Sequence, residues 1–246
     1  MASAKDIIVK PIKASAANDL VKRVHYSGTH TQNSQLHFGV FLNGKLEGAM
    51  QFGPPIDRRK VLPLVSETKW HDMIELNRMA FSDALPRNSE SRAISIAFKM
   101  IKKNYPNIEW ILSFSDGCQC GDGAIYRASG FILSGIKKNS TMYKTPDGEV
   151  VADKTFNNSM TRRYKNYKTS DCQKLIGFQL RYIYFINRDA IKRLTVPVLP
   201  FSKIDEMGAG MYKGKPKRIT KANSGDQSES GGAVPTDALQ SQEVQP

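Results

Sequence analysis

Apolar positions along the chain fall into short runs separated by polar turns, the pattern of an α/β protein. Ile7, Ile8, Val9 and Ile12 predict a first strand over 6–12 that closes near Pro11. Ala17, Leu20, Val21 and Val24 then recur on one helical face over 14–24, and the exit at His25-Tyr26-Ser27-Gly28 carries a glycine that suits a helix end. Leu36–Leu42 and 46–52 read as two strands joined by Asn43-Gly44, a dipeptide favoured in tight turns that need positive φ, so the pair is a hairpin. Gly53-Pro54-Pro55 stops the second strand, and Asp57-Arg58-Arg59-Lys60 reads as an exposed basic loop.

Over 70–81, Met73, Ile74, Leu76, Met79 and Phe81 alternate with Glu75, Asn77 and Arg78, which suggests a central strand whose polar side chains face a site. Buried charges are expensive unless paired or hydrogen-bonded, so Glu75 and Arg78 answer either each other or a ligand. A helix over 93–103 has Ile94, Ala97, Phe98 and Ile101 on one face, with Pro106 shortly beyond it. The stretch around which the rest is arranged runs from Glu109 to Phe131. It comprises a buried strand over 110–114, a polar turn at Ser115-Asp116-Gly117, a short helix over 123–129 stopped by Gly130, and a new strand from Phe131.

Residues 134–163 are polar and basic, with a turn at Pro146-Asp147-Gly148. A late strand occupies 178–186 and a Pro-limited extended piece 194–201. Lys213 to Lys221 is a basic run, and 222–246, rich in Ser, Gly and Gln, reads as a disordered tail. The expected organisation is a single domain over 1–205 with basic insertions, followed by a basic and then low-complexity tail over 206–246.

Composition narrows the partners. The 246 residues are 40% hydrophobic, enough to fill a core, and the net charge of +13 with pI near 9.6 points to an acidic polymer, most simply nucleic acid. A solvated basic face is the alternative that charge leaves open. Cys118, Cys120 and Cys172 are odd in number and lack paired Cys-x-x-Cys spacing, so neither a disulfide framework nor a structural zinc site is indicated. No apolar run is long enough to span a bilayer, and a cytoplasmic location is expected. Two segments suit phosphate. The helix start preceded by Arg87-Asn88-Ser89-Glu90-Ser91-Arg92 offers backbone amides and two guanidinium groups. Thr161-Arg162-Arg163-Tyr164-Lys165-Asn166-Tyr167-Lys168 interleaves cations with aromatic rings, as base stacking requires. Each reads equally as ordinary structure, an N-cap in one case and a solvated segment in the other.

Ala124-Ile125-Tyr126-Arg127-Ala128-Ser129-Gly130-Phe131 resembles the tyrosine-bearing helix end of the GNAT acyltransferase superfamily. The order strand, helix, hairpin, central strand, helix, strand, helix, strand over about 6–186 is similar to that superfamily too. The resemblance implies a mixed, mostly antiparallel central sheet flanked by helices, acetyl-CoA as cofactor with Arg87, Asn88, Ser89, Ser91 and Arg92 near its pyrophosphate, and Tyr126 beside its sulfur. The glycines usual in that phosphate loop are replaced here by serines.

Within this superfamily the chain resembles the phage Mom family of DNA-modification proteins, of the phage Mu type. The residues carrying this are His25-Tyr26-Ser27, 38–41, 48–54, 75–79, 86–92 and 114–131. What the resemblance implies is placement of a methylcarbamoyl group on N6 of adenine in duplex DNA, shielding phage DNA from restriction inside the host bacterial cytoplasm. His25, Arg78, Ser91, Asp116 and Tyr126 are the activity-linked residues by motif position, with Glu75 beside them. Adenine N6 is poorly accessible in a stacked duplex, so the base must be extruded. Tyr26, Arg58, Arg59, Arg162, Arg163, Tyr164 and Tyr167 are the expected contacts to backbone or flipped base.

Methylcarbamoyl joins nitrogen through its methylene carbon, whereas ordinary acyl transfer joins it through the carbonyl, so a thiolate-protonating tyrosine is not the whole mechanism. A redox metal such as iron would supply C–H activation, with His25 and Asp116 or Glu75 as ligands if they meet in space. Two other functions compete: a conventional GNAT N-acetyltransferase acting on a small amine or protein lysine, and a non-catalytic DNA-binding protein on the same fold.

Overall fold

The structure, a computed structural model, describes residues 2–25, 27–118, 120–156, 167–212 and 215–216. In chain order the strands are β1 (Ile8–Pro11), β2 (Leu36–Leu42), β3 (Lys45–Gly53), β4 (Met73–Phe81), β5 (Trp110–Asp116), β6 (Ile132–Lys144), β7 (Val150–Ala152), β8 (Gln173–Phe185), β9 (Met211–Tyr212) and β10 (Lys215–Pro216). The helices are α1 (Ala14–Val24), α2 (Arg58–Val61), α3 (Ser89–Asn104), α4 (Ala124–Ala128), α5 (Asp153–Phe156) and α6 (Ser202–Glu206). Eight strands make one sheet in the order β1-β2-β3-β4-β5-β8-β6-β7, and β9 and β10 form a separate hairpin. Among the described strands only β4 and β5 pair in parallel. The sheet is therefore mixed and mostly antiparallel, as expected.

Period-2 alternation puts successive β3 residues on opposite faces. Ala49 packs with Ala17, Leu20 and Val21 of α1, while Met50 and Phe52 join Ala93, Ile94, Phe98 and Ile101 of α3 on the other face. Phe38, Phe52, Phe98 and Phe131 form a run of ring contacts at 5.8, 6.3 and 5.7 Å between centroids. Each such pair contributes roughly 0.5–1.5 kcal/mol beyond area burial. A second cluster on the α1 face, around Trp110, Leu112 and Ile183, is covered by Val61, Leu64, Val65 and Leu194.

Three regions differ from the sequence expectation. Residues 58–61 form a helical turn rather than a loop, because the Asp57 carboxylate caps it by accepting from the Lys60 N–H at 3.3 Å. β6 and β8 are thirteen residues each, so much of the supposedly irregular stretch over 134–144 and the residues before 178 are paired strand. After α6, Ala209 and Met211 are buried against the body, beyond the boundary at 205 that composition suggested. No helix among the described residues is long and apolar enough to cross a membrane.

Candidate active site

β4 and β5 are hydrogen-bonded neighbours only from Met73↔Trp110 to Glu75↔Leu112. Beyond that point β4 continues along β3 and β5 along β8, so the two parallel strands part like a wedge. The buried Ser113 hydroxyl donates to the Leu76 carbonyl at 3.3 Å across the apex. β4 also carries a bulge. Gln51 faces Arg78 and Phe52 faces Leu76, leaving Asn77 as the extra residue. A bulge bends a strand and re-aims its side chains, which is the local reason that the strands separate here.

The wedge opens into a cavity of about 410 Å³. His25, Asn77, Arg78 and Met79 line it on the β4 side, and Phe114, Ser115, Cys120, Asp122 and Tyr126 on the β5 side. His25 belongs to the exit of α1 on one face of the sheet, whereas Tyr126 packs against Phe131 and Tyr182 of the other face, with ring centroids 5.2 Å away in each case. Side chains from both faces of the sheet therefore contribute to its lining.

His25 is fixed by its own loop. Its Nδ1 accepts from the Ser27 N–H at 3.2 Å and lies 2.8 Å from the Ser27 hydroxyl. The Arg78 side chain donates from Nε to the Thr29 carbonyl at 3.3 Å, tying this loop to β4. Burial and then the Arg78 charge lower the His25 pKa to about 4, so the ring is neutral at physiological pH. With Nδ1 accepting an N–H, the tautomer assigned from this geometry carries its proton on Nε2. Glu75 moves the other way. Burial raises its carboxyl to about 7, opposed by a hydrogen bond from Asn77 and the charge of Arg78. Of the two expected partners for Glu75, Arg78 acts on it only through its charge, which is too weak to outweigh desolvation.

Tyr126 has its hydroxyl 3.5 Å from the Phe114 carbonyl, and burial holds its pKa above the ordinary tyrosine value, so it stays protonated. Gly123, at φ +79, starts α4 where any Cβ would overlap the Tyr182 ring. The preceding loop is pinned by Asp116, whose Oδ1 accepts from the Cys118 N–H at 2.9 Å and whose Oδ2 accepts from Asn139 at 3.1 Å. Asp116 alternates away from Ser115, and among the described residues lining the cavity it is not found.

That position bears on the expected metal. Asp116 is committed to its turn, so it does not meet His25, and among the described residues no group of three or more His, Cys, Asp or Glu is placed to hold an ion. The side chains present do not fit an iron site built on His25 and Asp116. The segment expected to meet a phosphate leads into α3. α3 starts at the C-terminal end of β4, on the end of the sheet where the wedge opens, with Arg87 and Arg92 exposed beside it. Asn88 precedes the helix at φ 69, the Ser91 hydroxyl donates to the Asn88 carbonyl at 3.2 Å, and Ser89 is fully covered with no hydrogen-bond partner for its hydroxyl among the described residues.

Of the expected nucleic-acid residues, Arg58, Arg59 and Tyr167 lie within the described part of the chain. Arg58 and Arg59 are exposed on α2, which rests through Val61 on the Trp110 cluster near the other end of β4 and β5, and Arg58 stacks over Trp70 at 4.8 Å. Tyr167 donates its hydroxyl to Asp147 at 2.6 Å. Tyr26, Arg162, Arg163 and Tyr164 lie outside the described residues. Sequence reasoning grouped Asn77 with Glu75 and Arg78 as polar residues facing a site, but did not single out Ser115, Cys120 and Tyr212, which line the cavity with it. The alternation of 75–79 was a usable signal for Asn77; nothing local marks Tyr212.

Residues 6–203 match the model of the Mom protein family. Methylcarbamoylase mom of Escherichia phage Mu is 37% identical over 207 residues, which cover 81% of this chain and 85% of that protein. Among solved structures, the chain is similar to the ribosomal-protein-S18-alanine N-acetyltransferase from Escherichia coli, with a TM-score of 0.42 and 13% identity over 73% of this chain and 94% of that one. It is also similar to a GNAT family acetyltransferase from Elizabethkingia anophelis with acetyl-CoA bound, with a TM-score of 0.35 and 11% identity over 73% of this chain and 98% of that one.

Proposed function

The chain belongs to the Mom protein family, and from that premise we propose that it is a phage DNA-modifying transferase that places a methylcarbamoyl group on N6 of adenine in duplex DNA, protecting that DNA from restriction in the host cytoplasm. The observation that carries this reading is the wedge between β4 and β5, whose cavity is lined by side chains from both faces of the sheet. A site that joins groups from two large substrates draws its walls from more than one side. Acetyl-CoA fits the α3 side, where the helix N-terminus, Arg87 and Arg92 suit a pyrophosphate, and the extruded adenine fits the side of His25 and Arg78.

Acetyl-CoA supplies an activated two-carbon acyl unit on a thiol leaving group. The residues of this chain manage protons around it. Tyr126, held protonated beside Phe114, is the donor for a departing thiolate. Glu75, half-buried and poised near neutrality, does not itself line the cavity but precedes Leu76 of its wall and serves as a reservoir for a proton. His25 in its Nε2–H form is a neutral hydrogen-bond donor rather than a base, and Arg78 both holds the His25 loop and keeps that ring neutral. The carboxamide end of the product is what a thioester yields on meeting a nitrogen nucleophile, the thiol leaving with a proton; joining N6 to the neighbouring carbon replaces a C–H bond and needs a separate two-electron oxidant.

Mass spectrometry of deoxynucleosides from DNA of cells expressing the protein tests this. The expected product is a modified deoxyadenosine of methylcarbamoyl mass. An N6-acetyl product, acetylated proteins or small amines, or unmodified DNA would each contradict it.

A further inference from the structure

A larger hollow, of about 890 Å³, lies at the other end of the sheet from the wedge. Its walls come from the turn before β4, the second half of α3, the approach to β5 and the exit of β8. β5 and β8 meet there through Trp110↔Phe185 and Ile111↔Tyr184, at the end where β4 and β5 are still paired. The groove is on the α3 face, where Phe98 packs on Tyr184 with ring centroids 4.5 Å apart. α3 begins at the wedge and ends here, and its sixteen residues at ~1.5 Å each set the two places roughly 24 Å apart.

The charge of this groove is one-sided. Lys69, Lys99, Lys102 and Arg188 line it, all four are exposed, and none has an ion-pair partner among the described residues. The neighbouring carboxylates are engaged: Glu109 pairs with Arg193 and accepts from the Asn187 amide at 3.2 Å, and Asp72 accepts from the Lys69 backbone N–H at 2.8 Å. Ser95, Lys99 and Lys102 recur at steps of four and three, so a hydroxyl and two ammonium groups stripe one face of α3 over about 10 Å. A cation in the last turn of a helix answers the helix dipole, which accounts for Lys102 alone. Lys99 stands a turn earlier, and Lys69 and Arg188 arrive from other elements. Phe98, Ile108 and Ile186 beneath them are core residues, so the cations stand on a fixed concave surface. Clustered unpaired cations are the footprint of a polyanion, because each phosphate they neutralise releases a condensed counterion. The adenine was assigned to the side of His25 and Arg78, so one straight duplex does not touch both that side and a groove at the far end of the α3 face. Resting on the reading of the chain as a DNA-modifying enzyme, we propose that this groove holds the phosphate backbone of a second duplex segment while the first lies at the wedge, so that the protein passes between segments through a complex with both.

The test preloads the full-length protein with a short fluorescent duplex and follows its release after unlabelled duplex is added at increasing concentration. With a single DNA site the release rate is set by the first complex and ignores the competitor. A second site admits competitor before the label leaves, so release by the unaltered protein is expected to accelerate severalfold as competitor rises. Lys99→Gln combined with Arg188→Gln abolishes that acceleration. Both side chains are exposed and outside the wedge, so release without competitor and acetyl-CoA affinity by calorimetry stay within about twofold. A release rate of the unaltered protein that does not depend on competitor, or a double variant that keeps the acceleration, would overturn the inference. So would a double variant that releases the label severalfold faster without competitor, the mark of cations that serve the first segment. Failure of the unaltered protein to bind duplex at all would instead remove the DNA reading on which the inference rests.

Discussion

The Ser113 hydroxyl donates to the Leu76 carbonyl at 3.3 Å, where the parallel strands β4 and β5 stop pairing and begin to part. This link defines the floor of the cavity. On its β4 side stands Glu75, whose carboxyl rises toward neutrality, and on its β5 side Tyr126, whose phenol is kept protonated. Two protons near one apex, one exchangeable at pH 7 and one held firmly, suit a site where a thiol must leave with a proton while a nitrogen gives one up.

Glu75 sets a pH limb. With its pKa raised to about 7, modification is expected to rise with pH through that value, and Glu75→Gln removes the limb along with most of the activity. The same shift has a stability sign. A carboxyl whose folded pKa exceeds its unfolded value weakens the fold as pH climbs from about 4.5 through 7. Glu75→Gln is therefore expected to raise stability at pH 8 by about 1–2 kcal/mol, allowing for partial solvent access, with no gain at pH 4. Denaturant melts at the two pH values check this.

His25 behaves oppositely. Its folded pKa of about 4 lies below the unfolded value of 6.5, so its contribution is intact above 6.5 and declines as pH falls through the window to 4. Replacing it with Gln removes that part of the acid sensitivity, on the order of 1–2 kcal/mol between pH 6.5 and 4.5. Parallel melts of the two proteins across this window measure it. A His25→Gln protein with unchanged acid sensitivity would show that the ring is not buried neutral.

Gly123 is a structural requirement of the site. A side chain there meets the Tyr182 ring and also sits at positive φ, so Gly123→Ala is expected to cost about 2 kcal/mol or more and to displace the start of α4. Loss of thermal stability together with loss of modification is the expected result.

The basic segment over 161–168 is expected to contact DNA phosphates. Arg162→Ala with Arg163→Ala should weaken duplex binding and lower the slope of log affinity against log salt by roughly one to two units, about 0.9 for each phosphate no longer neutralised. Titrations at several salt concentrations read this directly, and an unchanged slope would remove these arginines from the interface.

Much of the frame was legible in the sequence because the signals were local. Asn43-Gly44 marked its hairpin, the apolar face of α1 its helix, and the mixed alternation of 73–81 a central strand with polar residues at a site. The outer halves of β6 and β8 were not, because exposed Lys137, Lys138, Ser140, Thr141 and Lys144 on β6 and exposed Gln173 and Lys174 on β8 make a polar ribbon whose pairing is set by the partner strand rather than by apolar periodicity. Among site residues, His25, Arg78 and Tyr126 meet at one cavity as expected. Asp116 does not, since the Cys118 backbone amide and the Asn139 side chain hold its carboxylate in the turn. Tyr212 was invisible for a related reason: its place depends on Met211 filling the space beside Gly117 and Gly177, a tertiary fit with no pattern nearby in sequence.

The central claim is that the wedge between β4 and β5 is where acetyl-CoA lies, and Cys120 on its wall is a built-in reporter. Alkylation of each cysteine, followed by peptide mass spectrometry with and without saturating acetyl-CoA, tests it most directly. The account predicts that acetyl-CoA slows labelling of Cys120 severalfold while Cys172, away from the cavity, reacts as before. Equal labelling of Cys120 in both conditions would contradict it.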